Sequence, residues 1–246
     1  MVRKVIGYMT LGMDASPVFS EMCRASFTND EEMKKMIYFY LTTYAEDNPD
    51  LAIMAVNTFK KDCKHTSSKI RGLALRNLCS FKSADYVNNV LPVIRELLND
   101  YEPYVKKTAI MGLLKVFYSE PATIITDDSL INTLSILIKD SDPLVSTNAL
   151  TALDEILVSE GGIPLNSRLV FYLIRRLKEY NEWSQTIILD LLYRYTPSKE
   201  NEQERYEMMS VLWDKLKHSS VPMVLGVIKV ILKLTEKGEQ LFESIV

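Results

Sequence analysis

The sequence predicts an all-α chain, an α-solenoid of HEAT- or armadillo-like helix pairs, on three observations. The first is punctuation. Only 8 glycines and 9 prolines occur in 246 residues, against roughly 12% of an average soluble protein, too few turn formers for many short strands. The second is an internal echo. Ile70, Val105, Val145, Gln185 and Val224 stand 35, 40, 40 and 39 residues apart. Four residues after them come Ala74, Ala109, Ala149, Leu189 and Ile228, and eight after them Leu78, Leu113, Leu153, Tyr193 and Leu232. Positions 0, +4 and +8 lie near one face of an α-helix, and alanine at +4 lets a neighbouring helix approach. The third is a second set of apolar stripes between these anchors, so that each repeat reads as two antiparallel helices. One such pair cannot bury its apolar faces alone, and stacking the repeats does.

In chain order, Met1-Val2-Arg3-Lys4-Val5-Ile6 loosely imitates a signal peptide. Gly7, Thr10 and Gly12 interrupt its apolar stretch and Asp14 ends it, so it is not read as one. Asp14 to Ala25 reads as a short helix. Glu31 to Tyr44 reads as a longer one, with Met33, Ile37, Tyr40, Leu41 and Tyr44 near one face. Pro49 to Lys61, with Asn48 as N-cap, pairs with the helix that begins at Ser68. The intervening stripes are Val87, Val90, Leu91, Ile94, Leu97 and Leu98; Leu130, Ile131, Leu134, Leu137 and Ile138; Leu169, Val170, Leu173, Ile174 and Leu177; and the shorter Met209, Leu212 and Leu216. Pro103, Pro143 and Pro222 fall two residues before their anchors, in the first helical turn, where a missing N–H loses nothing. Asp142 is an expected N-cap. The fourth copy departs from the pattern, with Trp183 in place of proline and Gln185 in place of the aliphatic anchor. Glu160-Gly161-Gly162-Ile163-Pro164 breaks the helical pattern between helices. Residues 1–246 are therefore read as a single solenoid of roughly six helix pairs.

The net charge of −3 gives no support to general nucleic-acid binding, which draws on a basic excess. Aromatic interleaving for single strands is also absent. Cys23, Cys63 and Cys79, odd in number and irregularly spaced, point to a reduced, intracellular protein. His65 and His218 lie too far apart for a zinc site. No stretch supplies the ~20 apolar residues of a membrane span, because the richest, Val221 to Ile228, holds Pro222 and meets Lys229. No P-loop, HExxH, GxSxG or dinucleotide fingerprint occurs, so no catalytic residue, metal or cofactor is expected. The contexts Lys64-His65-Thr66-Ser67-Ser68 and Lys217-His218-Ser219-Ser220 read as turns before helices, serine capping and histidine solvated. Leu189-Asp190-Leu191-Leu192 imitates a short acidic-leucine signal but reads as core. Basic residues cluster at Arg3 and Lys4, at Lys34 and Lys35, from Lys60 to Arg76 with only Asp62 opposed, at Lys106 and Lys107, and at Arg175, Arg176 and Lys178. These read as solvated helix faces, with contact to an acidic surface such as phospholipid headgroups as the sharper alternative.

A family resemblance emerges at Lys35-Met36-Ile37-Tyr38-Phe39-Tyr40-Leu41, Asn48-Pro49-Asp50-Leu51-Ala52-Ile53-Met54-Ala55-Val56-Asn57-Thr58, Asp62-Cys63 and Ile70-Arg71-Gly72-Leu73-Ala74-Leu75-Arg76. It continues at Pro103-Tyr104-Val105-Lys106-Lys107-Thr108-Ala109, Asp142-Pro143, Asn148-Ala149 and Glu182-Trp183-Ser184-Gln185 with Ile188-Leu189-Asp190. This ordered set resembles the trunk of the beta-adaptins, large subunits of heterotetrameric adaptor complexes. Tyr8-Met9-Thr10-Leu11-Gly12-Met13-Asp14, Val18-Phe19-Ser20-Glu21-Met22, and Glu155-Ile156-Leu157 leading to Glu160-Gly161-Gly162 look most like the beta subunit of the fourth adaptor complex. Family members carry a further N-terminal stretch, a trunk of more than twice this length, a hinge and an ear, so the chain reads as a partial trunk without hinge or ear.

The resemblance implies a non-catalytic scaffold in vesicle-mediated protein transport and cargo sorting. It would be cytoplasmic and peripheral on trans-Golgi and coated-vesicle membranes, and not dependent on clathrin. The implied partners are a second large chain, a medium and a small chain, and a GTP-loaded Arf-type small GTPase whose apolar contacts match Ile53 and Val56. Three apart, these two are expected to share a face. Arg3 and Lys4 match basic positions that meet phosphoinositide headgroups in a relative. A karyopherin-like or RNA-associated HEAT scaffold is the alternative reading.

Overall fold

The computed structural model describes residues 1–45, 49–80, 87–197 and 202–235. Fourteen α-helices and no strand occur among them. They divide into two compact units, Met1–Lys139 and Asp140–Val246. In the first, α1 (Val2–Thr10), α2 (Phe19–Ala25), α3 (Glu31–Ala45), α4 (Pro49–Asp62), α5 (Ser68–Leu78), α6 (Val87–Leu98) and α7 (Pro103–Ser119) are followed by short α8 (Pro121–Ile125) and α9 (Asp128–Leu137). The second holds α10 (Pro143–Ile156), α11 (Ser167–Arg175), α12 (Glu182–Arg194), α13 (Glu202–Trp213) and α14 (Val221–Leu234).

The first unit has two layers. One consists of α3, α5 and α7, packed in that order. The other consists of α2, α4 and α6, with α2 against α3, α4 against both α3 and α5, and α6 against α7. The first-layer helices run parallel. Gly72, early in α5, lies against Tyr104, early in α7, and Cys79, at the end of α5, lies against Gly112 in the second half of α7. The second unit repeats the scheme: α10 packs on α12 and α12 on α14, while α11 packs on α13 and α13 on α14. Arg194 ends α12 on Asp154 near the end of α10, which fixes those two as parallel.

The repeat anchors Ile70, Val105, Val145 and Gln185 are all buried, as are Ala74, Ala109, Ala149 and Leu189. Asp142 caps α10, accepting from Leu144 N (2.9 Å) and Val145 N (3.0 Å). Asn48, the expected cap of α4, lies outside the described residues. The register differs at the C-terminal copies. Tyr193 and Leu232 are exposed, and the buried stripe of α14 is Met223, Val227, Val230, Ile231 and Leu234, with Val224 and Ile228 at its flank. At 3.6 residues per turn, eight residues overshoot two turns by about 80°. In α14, apolar on nearly every side, periodicity alone left the register open by one residue.

The break at Gly161 and Gly162 lies inside the second unit. Both take left-handed backbones (φ 91° and 86°), which glycine adopts without a Cβ penalty. The N-terminal stretch that imitated a signal peptide is α1, with Val2 and Val5 buried as it packs on α3.

Candidate protein interface

Helix α4 carries both residues expected to meet a GTPase, and the structure separates them. Ala55, Val56 and Phe59 are buried, the inner stripe of a helix clamped between α3 and α5. Val56 is 5% exposed and Ile53 60%. Three residues turn the helix about 60° short of a full turn, and the edge of the core falls inside that angle. The two do not share one face as the spacing suggested: Ile53 presents to solvent beside half-exposed Met54, while Val56 supports the helix from behind.

The carboxyl end of α4 is fixed by a buried polar node. Lys34 Nζ, on α3, donates to Asp62 Oδ2 (2.6 Å) and to Ser26 O (2.8 Å), and the Tyr38 hydroxyl donates to the same carboxylate oxygen. Tyr38 also meets Phe59 edge to face at 5.0 Å. Burial, and then the Asp62 carboxylate, push the Tyr38 hydroxyl far above its ordinary pKa, so it stays a donor. Lys34, read from sequence as part of a solvated cluster, is 1% exposed. The signal was its place with Ile37, Tyr38 and Leu41 in one helical stripe.

Three of the six basic residues from Lys60 to Arg76 pair with carboxylates remote in sequence, and a fourth meets a neutral amide. Lys60 donates to Asn89 (2.9 Å), Lys64 lies 3.8 Å from Glu96 and Lys69 3.4 Å from Glu31. Arg71 is buried and bidentate on Asp100 (2.8 and 2.9 Å), and also donates to the carbonyls of His65 and Thr66. Burial alone would raise the Asp100 carboxyl. The Arg71 bonds, the Glu102 N–H and the Arg71 charge outweigh it and hold it below its ordinary pKa. Asp62 is therefore not this cluster's only counter-charge.

Both histidine segments form the expected turns before helices, α5 and α14, but neither N-cap serine, Ser67 or Ser220, caps with its side chain. Instead His65 Nδ1 accepts from Ser67 N (3.0 Å), leaving Nε2 to donate to Asn29 Oδ1 (3.1 Å). His218 Nδ1 accepts from Ser220 N in the same way (3.1 Å). These imidazoles serve as turn acceptors. Leu189, Leu191 and Leu192 are buried and Asp190 exposed, the core arrangement expected of that segment. Arg3 and Lys4 are exposed on α1, and Arg3 reaches exposed Glu32 at 3.7 Å, a pair worth little in solvent. Among the described residues no cluster of three His, Cys, Asp or Glu is placed to hold a metal ion, and no helix is long and apolar enough to cross a membrane.

Residues 1–246 match the family model described as "Adaptin N terminal region" over their whole length. The chain belongs to the adaptin N-terminal region family. This adaptin segment is 38% identical to the beta-adaptin-like protein A of Arabidopsis thaliana, over all of the chain and 31% of the relative. It is 38% identical to the AP-4 complex subunit beta of Dictyostelium discoideum, over all of the chain and 28% of the relative. Against the mouse AP-4 complex subunit beta-1 the identity is 37%, over 96% and 32%. The adaptin segment thus spans about a third or less of these relatives. Among structures, a homology model of the full-length AP-3 complex aligns with a TM-score of 0.60 at 19% identity, over 96% of this chain and 43% of the other. An engineered protein aligns at 0.53 and 14%, over 91% and 99%. At such identities both bear on the solenoid fold alone.

Proposed function

We propose that the adaptin segment serves as part of a beta-type large subunit of an adaptor complex, a non-catalytic scaffold in vesicle-mediated protein transport. The observation that carries this reading is the match of all 246 residues to the adaptin N-terminal region, with beta subunits among the relatives at 37–38% identity. Its partners on this reading are a second large chain, a medium and a small chain. Its place is the cytoplasmic face of trans-Golgi and coated-vesicle membranes, held peripherally through the complex. The reading of 1–246 as one solenoid belongs to the same proposal, supported by the forty-residue period from Val105 to Val145, which runs through the boundary between the two units. The deciding experiment is affinity purification from cells. Co-purification of medium and small adaptor subunits is expected, whereas saturable binding of RNA or importin cargo peptides instead would overturn the reading.

A GTP-loaded Arf-type GTPase docks, on this proposal, through Ile53 and Met54 of α4. Exposed apolar anchors at interfaces often cost 2 kcal/mol or more when lost. Ile53→Asp is expected to weaken binding of the GTP-loaded protein at least tenfold with an unchanged thermal melt, since its side chain leaves the core untouched. Val56→Asp is expected to lower the melt itself. Unchanged GTPase binding by Ile53→Asp would remove α4 from the contact. Arg3 and Lys4 are retained as weak headgroup contacts, supported by their exposure on α1.

A further inference from the structure

The layer α3, α5 and α7 has a charge asymmetry that docking on α4 does not use. Helices α5 and α7 together hold six Lys and Arg and no Asp or Glu, in a chain with 32 acidic and 29 basic residues. The only carboxylates of α3 are Glu31 and Glu32, in its first turn. Asp100 takes Arg71 and Glu31 takes Lys69. Arg76, Lys107 and Lys115 form no ion pair among the described residues. Because α4 and α6 pack behind this layer, the side chains turned away from them line an open face. On α7 that face reads Lys107, Met111, Lys115, at steps of four. Lys107, half-exposed, lies over the Tyr104 ring at 5.4 Å, Met111 is 41% exposed and Lys115 is exposed, as is Arg76 on the adjacent α5. At about 1.5 Å rise per residue the two lysines stand about 12 Å apart along the axis, with the methionine between them.

We propose that this face docks an extended acidic segment of a partner protein, of pattern acidic–x–apolar–x–acidic. An extended chain advances about 3.3 Å per residue, so residues four apart span about 13 Å, and residues i, i+2 and i+4 point to one side. Two carboxylates then meet Lys107 and Lys115 while the apolar side chain between them rests on Met111, a polarizable, adaptable contact. Phospholipid headgroups would also be drawn to these charges. They impose no spacing, and the match between helix rise and strand rise favours the peptide.

The test uses the whole chain and a fluorescein-labelled peptide, GSEDLDEGS, followed by anisotropy. Saturable binding is expected, with at least tenfold loss in Lys107→Glu/Lys115→Glu and a clear loss in Arg76→Glu. Lys217→Glu, in the other unit, is expected to leave binding unchanged. The permuted peptide GSLEEDDGS, with leucine moved to the end, should bind at least threefold more weakly, because charge alone is then retained. All three proteins should melt as the parent does, since every altered side chain lies outside the core. Failure to bind, equal binding by the double variant, or equal binding of both peptides would overturn the proposal. Sedimentation with phosphatidylserine vesicles that is lost in the double variant, without peptide binding, would assign the face to membrane instead. None of these outcomes depends on the GTPase contact.

Discussion

Lys34 holds an ammonium group among side chains that exclude water, 2.6 Å from Asp62. Removing one member of a buried ion pair leaves the other charge uncompensated, a loss of about 3–5 kcal/mol, whereas replacing both by apolar groups is often neutral. Urea unfolding of Lys34→Met should show a loss in that range, and Lys34→Met/Asp62→Leu should recover most of it. A double variant no more stable than the single would mean the node contributes by packing rather than by charge. Asp100 sets a pH dependence of definite sign. Its folded-state pKa lies below the ordinary value, so the Arg71–Asp100 pair stabilises above the unfolded value of about 3.9 and that stability fades as pH falls through the folded value. Asp100→Asn should therefore be clearly less stable than the parent at neutral pH, and the two should converge in strong acid. A difference that persists there would deny the linkage.

At the scale of elements, the loop after α10 shows how backbone and side chain combine. Gly161 and Gly162 both sit at positive φ, but a Cβ at Gly161 would meet open space, while one at Gly162 would strike the Arg194 guanidinium at 2.3 Å and Asp154 Oδ1 at 2.5 Å. Asp154 also accepts from Ile163 N at 3.0 Å, so this carboxylate ties the loop, α10 and α12 together. Left-handed backbone costs a non-glycine residue about 1–2 kcal/mol. Gly161→Ala should lose that much, and Gly162→Ala measurably more, because it also displaces the Arg194–Asp154 bond. Equal losses in thermal melts would show that the bond is dispensable.

At the scale of the molecule, repeat arrays draw stability from each repeat and from its neighbours. On the proposal that residues 1–246 form one solenoid, damage in one unit is felt in the other. Both tryptophans, Trp183 and Trp213, lie in the second unit, and Trp183 is 82% exposed. In a Trp183→Phe background the Trp213 emission then reports on that unit, while far-ultraviolet circular dichroism reports on all helices. Coincident denaturation curves are expected, with both shifted by Lys34→Met in the first unit. Two separate transitions, only one of them shifted, would make the units independent and refute the single-solenoid reading.

The sequence by itself determined the class of fold, the repeat period and the family, because helical periodicity, scarce turn formers and ordered motifs are local properties of the chain. It placed the anchors from Ile70 to Gln185 in the core and the leucines of Leu189-Asp190-Leu191-Leu192 beside them. The tertiary structure decided which face of each helix is covered. It buried Lys34 and Val56, left Ile53 in solvent, moved the buried stripe of α14 from Val224 to Met223, and gave Arg71 and Lys69 partners about thirty residues or more away. The physical reason is angular. A stripe of apolar residues fixes a helix face to within about one residue, or 100°, and whether a side chain at its margin meets water depends on the neighbouring helices packed against it.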